Sequence, residues 1–309
     1  MVTTNSQRNA YGEEIVALGT ENKNVVALEA DLGKSTMSVY FQEAYPDRYF
    51  EMGIAEQNML STAAGLAAGG KIPFCSTFAV FASGRAYDQI RQTIAIGNLN
   101  VKICGSSSGL SDFGDGATHQ SIEDVALMSA IPNMTVLTPC DAYETRQAVR
   151  AAAEIEGPVY IRIARNELPD QIVEGTSFEL GKVRILQDGS DVAILAYGNM
   201  VDVSKKAAVI LESNGISVMV VNVSTMKPFD ETGVLEIASR VKAIITVEDH
   251  SRIGGLAAAT AFALRKSQTQ MDYVAVEDEF GQSAHSLNEL FQEYGLTPEN
   301  IVNKVENLL

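Results

Sequence analysis

Thr135-Val136-Leu137, the helical stretch Ala142 to Glu154 and Val159-Tyr160-Ile161-Arg162-Ile163 read as a short β-rich run, a helix and a second β-rich run. Two such runs joined by a crossover helix make a parallel βαβ unit. Parallel strands are buried on both faces and are therefore nearly continuous in apolar residues. The alternation extends upstream, where Val25-Val26-Ala27-Leu28 and Val101-Lys102-Ile103-Cys104 are separated by helical segments such as Gly84 to Ile96. The predicted class is α/β, with doubly wound, mostly parallel sheets covered by helices on both faces. Sheets of this kind bind ligands at the carboxyl ends of their strands, which points to the loops after Leu28, Ser76, Cys104 and Ile163.

Downstream of Arg165 the pattern stops. Asn166 to Ser190 carries Pro169, Gly175, Gly181 and Gly189 and has no long amphipathic helix. A first domain over residues 1–166, a linker over 167–190 and a second α/β domain over 191–309 follow from this reading. The second domain resumes the alternation with Val192-Ala193-Ile194-Leu195-Ala196, a helix from about Val201 to Ser213, Val218-Met219-Val220-Val221 and Ala243-Ile244-Ile245-Thr246-Val247. Two domains also suit 309 residues, more than one compact core usually holds.

Acidic residues outnumber basic ones 39 to 23, for a formal charge of -16, and no basic cluster interrupts them. Such a surface repels phosphate backbones and anionic lipid, which argues against nucleic acid and membrane as partners. Cys75, Cys104 and Cys140 are odd in number and lack metal-ligand spacing, so buried thiols in a reducing compartment are expected. Met1 to Asn9 is polar and no run of about 18 apolar residues occurs, so the expected location is cytoplasmic.

Chemistry concentrates in four polar segments of the first domain: Glu29 to Thr36, Gly53 to Met59, Ser76 to Phe81 and Asp112 to Gln120. Glu56 precedes a helix of small residues, Leu60 to Gly70, that invites close packing against another helix or chain. A carboxyl group at the mouth of such an interface loses its water; on a free surface the same residue is an ordinary helix cap.

Taken together, Gly-Ile-Ala-Glu-Gln-Asn-Met at 53 to 59, Thr-Phe-Ala-Val-Phe at 77 to 81, Asp-Gln-Ile-Arg at 88 to 91, Asp-Gly-Ala-Thr-His-Gln at 115 to 120 and Pro-Asn-Met-Thr at 132 to 135 resemble, in order, the pyrimidine-binding domain of transketolase. The second domain more diffusely resembles that family's C-terminal domain. The resemblance implies thiamine diphosphate as cofactor, with Glu56 bonded to N1′ of its aminopyrimidine ring and Phe81 and Phe78 forming the wall on which that ring stacks. It also implies that Asp31 lies near the thiazolium, that Asp115 and His119 contact sugar hydroxyls, and that Arg165 binds the substrate phosphate. Arg8 and Ser35 fall where further phosphate ligands are expected. A guanidinium suits a phosphate because its planar fork donates two parallel hydrogen bonds.

Full-length transketolases hold Mg²⁺ and the diphosphate through Gly-Asp-Gly and a later asparagine in an N-terminal domain. Gly114-Asp115-Gly116 is no such motif, for it lies within the loop ending at His119 and no asparagine occurs between Met134 and Arg165. No P-loop and no Gly-x-Gly-x-x-Gly opening a helix offers another diphosphate cradle. The resemblance therefore implies an N-terminal partner subunit that binds the diphosphate and Mg²⁺, in an α2β2 heterotetramer active only as a pair.

Departures bear on the substrate. Gly105-Ser106-Ser107-Ser108-Gly109-Leu110 lacks the histidine that many split transketolases place before Gly-Leu, and Phe113-Gly114-Asp115-Gly116 lacks the glutamate of Gly-Glu-Asp-Gly. Two-carbon ketol transfer between sugar phosphates is the expectation, and the departures motivate the hypothesis of a sugar phosphate other than the usual pentoses. The alternatives are a subunit related to deoxyxylulose phosphate synthase or to the 2-oxoacid dehydrogenase β-subunit, or a non-catalytic binding subunit of the same fold. In the second domain, Glu248-Asp249-His250 and His285 read as structural, and Gly254-Gly255 before a helix is a weak anion-site signal.

Overall fold

The computed structural model describes residues 4–309. The first sheet has seven strands in the spatial order Thr225–Lys227, Thr135–Leu137, Val159–Arg162, Lys102–Ser106, Ile72–Phe78, Val25–Glu29 and Tyr49–Glu51. All neighbours are parallel except the edge strand Thr225–Lys227, which runs antiparallel to Thr135–Leu137. The register sets Phe78 beside Ser106 and Gly105 beside Arg162, aligning the strands' carboxyl ends at one rim. Val25–Glu29 and Lys102–Ser106 are buried at every position, as a sheet packed on both faces requires.

The second sheet has five strands, in the order Gln270–Val276, Ala243–Ser251, Val192–Ala196, Val218–Asn222 and Arg184–Gln187. Only Arg184–Gln187 is antiparallel to its neighbour. The stretch read as a linker thus contains two short strands, since Glu167–Pro169 also pairs antiparallel with Thr4–Ser6. Asp141 fastens that stretch: its Oδ1 accepts from the Glu144 amide at the start of helix Ala142–Glu154, and its Oδ2 accepts from the Gln171 and Ile172 amides, each at 2.7 Å.

The two sheets are joined at two levels. Strand Thr225–Lys227 arrives from the second half of the chain to complete the first sheet. Behind it, the fully buried Arg162 reaches Asp124 at 3.1 Å and Asp249 at 2.8 Å, with Tyr160 donating to Asp124 at 2.8 Å. Burial alone would lower the pKa of this guanidinium, yet the two carboxylates hold it well above its usual value. Gly109 lies against the same cluster with φ of +60°, and a Cβ there would stand 2.2 Å from Asp249 Oδ2.

Glu248 accepts from the amides of Leu256 at 2.7 Å and Ala257 at 2.9 Å, and from the Tyr197 hydroxyl. The helix Leu256–Ala263 behind Gly254-Gly255 therefore takes its own chain's carboxylate at its N-terminus. That leaves the weak anion-site signal explained by an internal partner. Cys75, Cys104 and Cys140 are free and buried. No helix among the described residues is long and apolar enough to cross a membrane.

Candidate active site

Glu56 opens the helix Glu56–Ala68, directly after the turn in which Gly53 takes φ of +68°. Only 2% of it is exposed. Its Oε1 accepts from Arg85 at 2.8 Å, while its Oε2 is buried with no hydrogen-bond partner. A buried carboxylate oxygen left unbonded costs free energy, and such atoms are few in native proteins.

The aromatic wall comes from the end of strand Ile72–Phe78 and the wide π-type turn Phe81–Arg85 that follows it. The rings of Phe78 and Phe81 lie near-parallel, 14° apart in plane, with centroids separated by 6.0 Å. His119 meets both edge-on, at 6.2 Å from Phe78 and 5.3 Å from Phe81. Thr118 Oγ1 bonds His119 Nδ1 at 2.9 Å, which fixes the imidazole against the wall. Arg85 lies 4.3 Å over Phe81, and Arg165 lies 5.8 Å over Phe78.

Beyond the wall is a cluster of charge. Arg165 Nη1 donates to Asp112 at 3.0 Å, and the Arg165 amide donates to Ser111 Oγ at 3.1 Å. Burial raises the Asp112 carboxyl above its ordinary pKa; Arg165 opposes this, and the neighbouring Asp115 adds to it. Arg8, from helix Gln7–Glu21, donates to the Ser35 carbonyl at 2.7 Å. Burial, and then the charge of Arg165, push Arg8 below its usual value. A half-buried guanidinium this close to a second one makes a place where an anion is favoured.

The fold thus brings Glu56, Phe78, Phe81, His119, Asp115, Arg165, Arg8 and Ser35 to one rim of the first sheet. Asp31 sits at the next strand end, exposed, in the left-handed conformation with φ of +64°. Its amide and that of Gly53 both donate to Glu51 Oε1 at 2.9 Å, so Glu51 pins the two loops together. Arg85 and Glu51 escaped the sequence reading, and Asp112 was read only as the start of its polar segment, with no role. For Arg85 a signal existed: it stands four residues after Phe81, the spacing that places two side chains on one side of a helical turn.

Glu29, at the end of its strand, is a further buried acid. Burial lifts its pKa to about 8, Glu51 adds to the rise, and bonds from the Ala30 and Leu32 amides and Ser38 oppose it. Tyr49 stands on the same serine. Between pH 4.5 and 8 the unfolded chain ionises this group while the folded chain keeps its proton, so its contribution to stability falls as pH rises. The slope approaches about 1.4 kcal/mol per pH unit for one proton. Glu29→Gln removes that term, and the melting temperature of the variant relative to wild type is expected to climb from pH 5.5 to 7.5. A constant difference across that range would show that Glu29 is ionised in the folded protein.

By its fold, the chain is an α/β protein whose polar and aromatic candidate side chains gather at the carboxyl ends of a parallel sheet. Two family models match it: the transketolase pyrimidine binding domain over residues 4–171 and the transketolase C-terminal domain over residues 181–301. It is 44% identical over 303 residues to a protein of Methanocaldococcus jannaschii described as a transketolase C-terminal section, covering 96% of this chain and 94% of that one. It is 40% identical to the 6-deoxy-6-sulfo-D-fructose transketolase subunit of a Clostridium species, covering 96% and 92%. Among solved structures, a split-gene transketolase described as an inactive β4 tetramer superimposes with a TM-score of 0.90 at 45% identity, over 98% of both chains. The chain belongs to the transketolase family.

Proposed function

We propose that this chain is the C-terminal subunit of a thiamine diphosphate-dependent, cytoplasmic transketolase that moves a two-carbon ketol unit between sugars bearing an anionic group. The observation that carries the reading is Glu56, buried at the rim beside Phe81, with one carboxylate oxygen unpartnered. An aminopyrimidine ring asks for these two features, a carboxyl oxygen at N1′ and an apolar ring face to stack on. Bound thiamine diphosphate supplies the carbon that attacks the donor carbonyl and stores the resulting electron pair.

The chain's own residues perform the rest. Glu56 holds a proton at N1′, Phe78 and Phe81 orient the ring and exclude water, and His119 and Asp115 bond the sugar hydroxyls. Arg8 and Arg165 hold the anionic end of the substrate. Asp31 is assigned to the thiazolium side and Ser35 to the anion site, where its carbonyl orients Arg8. The diphosphate and Mg²⁺ are assigned to an N-terminal partner subunit, since Gly33-Lys34-Ser35 is no P-loop, having Leu28 where that motif needs its first glycine, and no Gly-x-Gly-x-x-Gly opens a helix. The assembly proposed is α2β2. The run Gly105 to Leu110, without the histidine that many split transketolases carry before Gly-Leu, favours a substrate other than the ordinary pentose phosphates; full activity on xylulose 5-phosphate and ribose 5-phosphate would sink that part.

Arg165→Ala is expected to raise KM for an anionic sugar about 10- to 100-fold, the loss of one charge-assisted bond, with a smaller effect on kcat. An unchanged KM would remove Arg165 from the substrate site. The reading as a whole is tested by mixing the chain with a candidate N-terminal section, Mg²⁺ and thiamine diphosphate, and assaying a panel of ketose donors.

A further inference from the structure

Arg85 stands in an unusual place. Its guanidinium donates to Glu56 Oε1 at 2.8 Å and lies 4.3 Å over the Phe81 ring, and 46% of its side chain is exposed. A guanidinium is flat, delocalised and lined with N–H donors. Those properties let it bond a carboxylate in its plane while stacking on an aromatic face, which is what an aminopyrimidine edge and ring do together. Glu56 Oε1 and the Phe81 ring are thus partnered from within the chain by a side chain with one foot in solvent.

We propose that Arg85 is a latch: it holds the aminopyrimidine's place between Glu56 and Phe81 in the free subunit and swings out when the cofactor ring enters. This rests on the assignment of the site to thiamine diphosphate. The physical need for a latch is clear from the burial of Glu56. A carboxylate 2% exposed and without a cation would carry an uncompensated desolvation penalty until the cofactor arrived. Arg85 reduces that penalty in the free subunit by pairing with Oε1. The same contact opposes the loaded state, because a guanidinium on Glu56 Oε1 weakens the carboxyl group's hold on a proton shared with N1′ and covers a face of Phe81. Its position favours departure, for it sits at the end of the π-type turn Phe81–Arg85, beside the exposed Gly84, and its outer half already faces water. Cofactor affinity is then lowered by the fraction of molecules in which the latch is shut.

Two measurements on Arg85→Ala and Arg85→Lys test this. The first is the dissociation constant of thiamine diphosphate with Mg²⁺, read by calorimetric titration on subunit saturated with its N-terminal partner, with assembly checked by sedimentation. Arg85→Ala is expected to bind about tenfold tighter than wild type, the gain when a latch shut nine times in ten is removed, with Arg85→Lys between the two. The second is melting. The free Arg85→Ala subunit is expected to melt several degrees below wild type, whereas the cofactor-saturated complexes melt together. Weaker or equal cofactor binding by Arg85→Ala, or an equal loss of melting temperature in free and loaded forms, would mean that Arg85 belongs to the loaded site and would overturn the latch. If the wild-type pair itself binds no thiamine diphosphate, the cofactor assignment falls first and the latch with it.

Discussion

Glu56→Gln is expected to slow exchange of the cofactor's C2 proton, and ketol transfer with it, by about 10²- to 10⁴-fold in the assembled enzyme, the range for loss of one proton-transferring group. The reason is chemical rather than steric. Glutamine has nearly the same shape and its carbonyl can still accept from Arg85, so the helix Glu56–Ala68 and the wall of Phe78 and Phe81 should stand unchanged. What is lost is a group that can carry a proton at N1′. Assembly and cofactor affinity should therefore change far less than exchange does. Exchange at the wild-type rate would take the catalytic role away from Glu56 and leave it a helix-initiating residue.

The second large effect concerns the joint between the two sheets. Arg162→Ala is expected to cost about 3–5 kcal/mol, because it strands Asp124 and Asp249 in a buried site with no cation. That corresponds to a fall in melting temperature on the order of 10 °C for a chain of this size. Calorimetry of the free subunit reads it directly, and a fall of only a degree or two would mean that water or rearranged neighbours compensate the acids. The removal of both charges together, with Asp124→Asn and Asp249→Asn in the Arg162→Met background, should recover part of the loss, since neutral neighbours carry no such penalty.

The sheet joint also shows where a sequence speaks and where it does not. Val159-Tyr160-Ile161-Arg162-Ile163 announced a doubly buried strand through four apolar or aromatic residues, and the charge within it required a buried acid somewhere. Which acid was a matter of tertiary structure: Asp249 lies 87 residues away. Strand Thr225–Lys227 is three residues long and has no period to read, so its place at the edge of the first sheet was invisible. Arg184–Gln187 was hidden by the glycines around it and by its half-exposed edge position.

The site follows the same division. Glu56, Phe81, His119 and Arg165 stand in motifs dense enough to be picked out, because strand-end loops rich in polar residues have little structural reason to be so. Arg85 was passed over, and Asp112 given no role within its segment, because an arginine four residues after a phenylalanine and an acid in a turn are ordinary surface chemistry. Only their distances, 2.8 Å to Glu56 and 3.0 Å to Arg165, bring them into the site. Lys102, fully buried within its strand, donates to the carbonyls of Ile155 and Gly157 just past a helix end, a partnership that local sequence cannot display.

The central claim is that this chain supplies one half of a divided active site. The most direct measurement is ketol transfer with thiamine diphosphate, Mg²⁺ and a panel of anionic sugars, comparing the chain alone, the candidate N-terminal section alone and the two mixed. Activity confined to the mixture, and lost with Glu56→Gln, is the predicted result. Turnover by this chain alone would contradict the account, because it would place the diphosphate and Mg²⁺ on residues assigned here to other work.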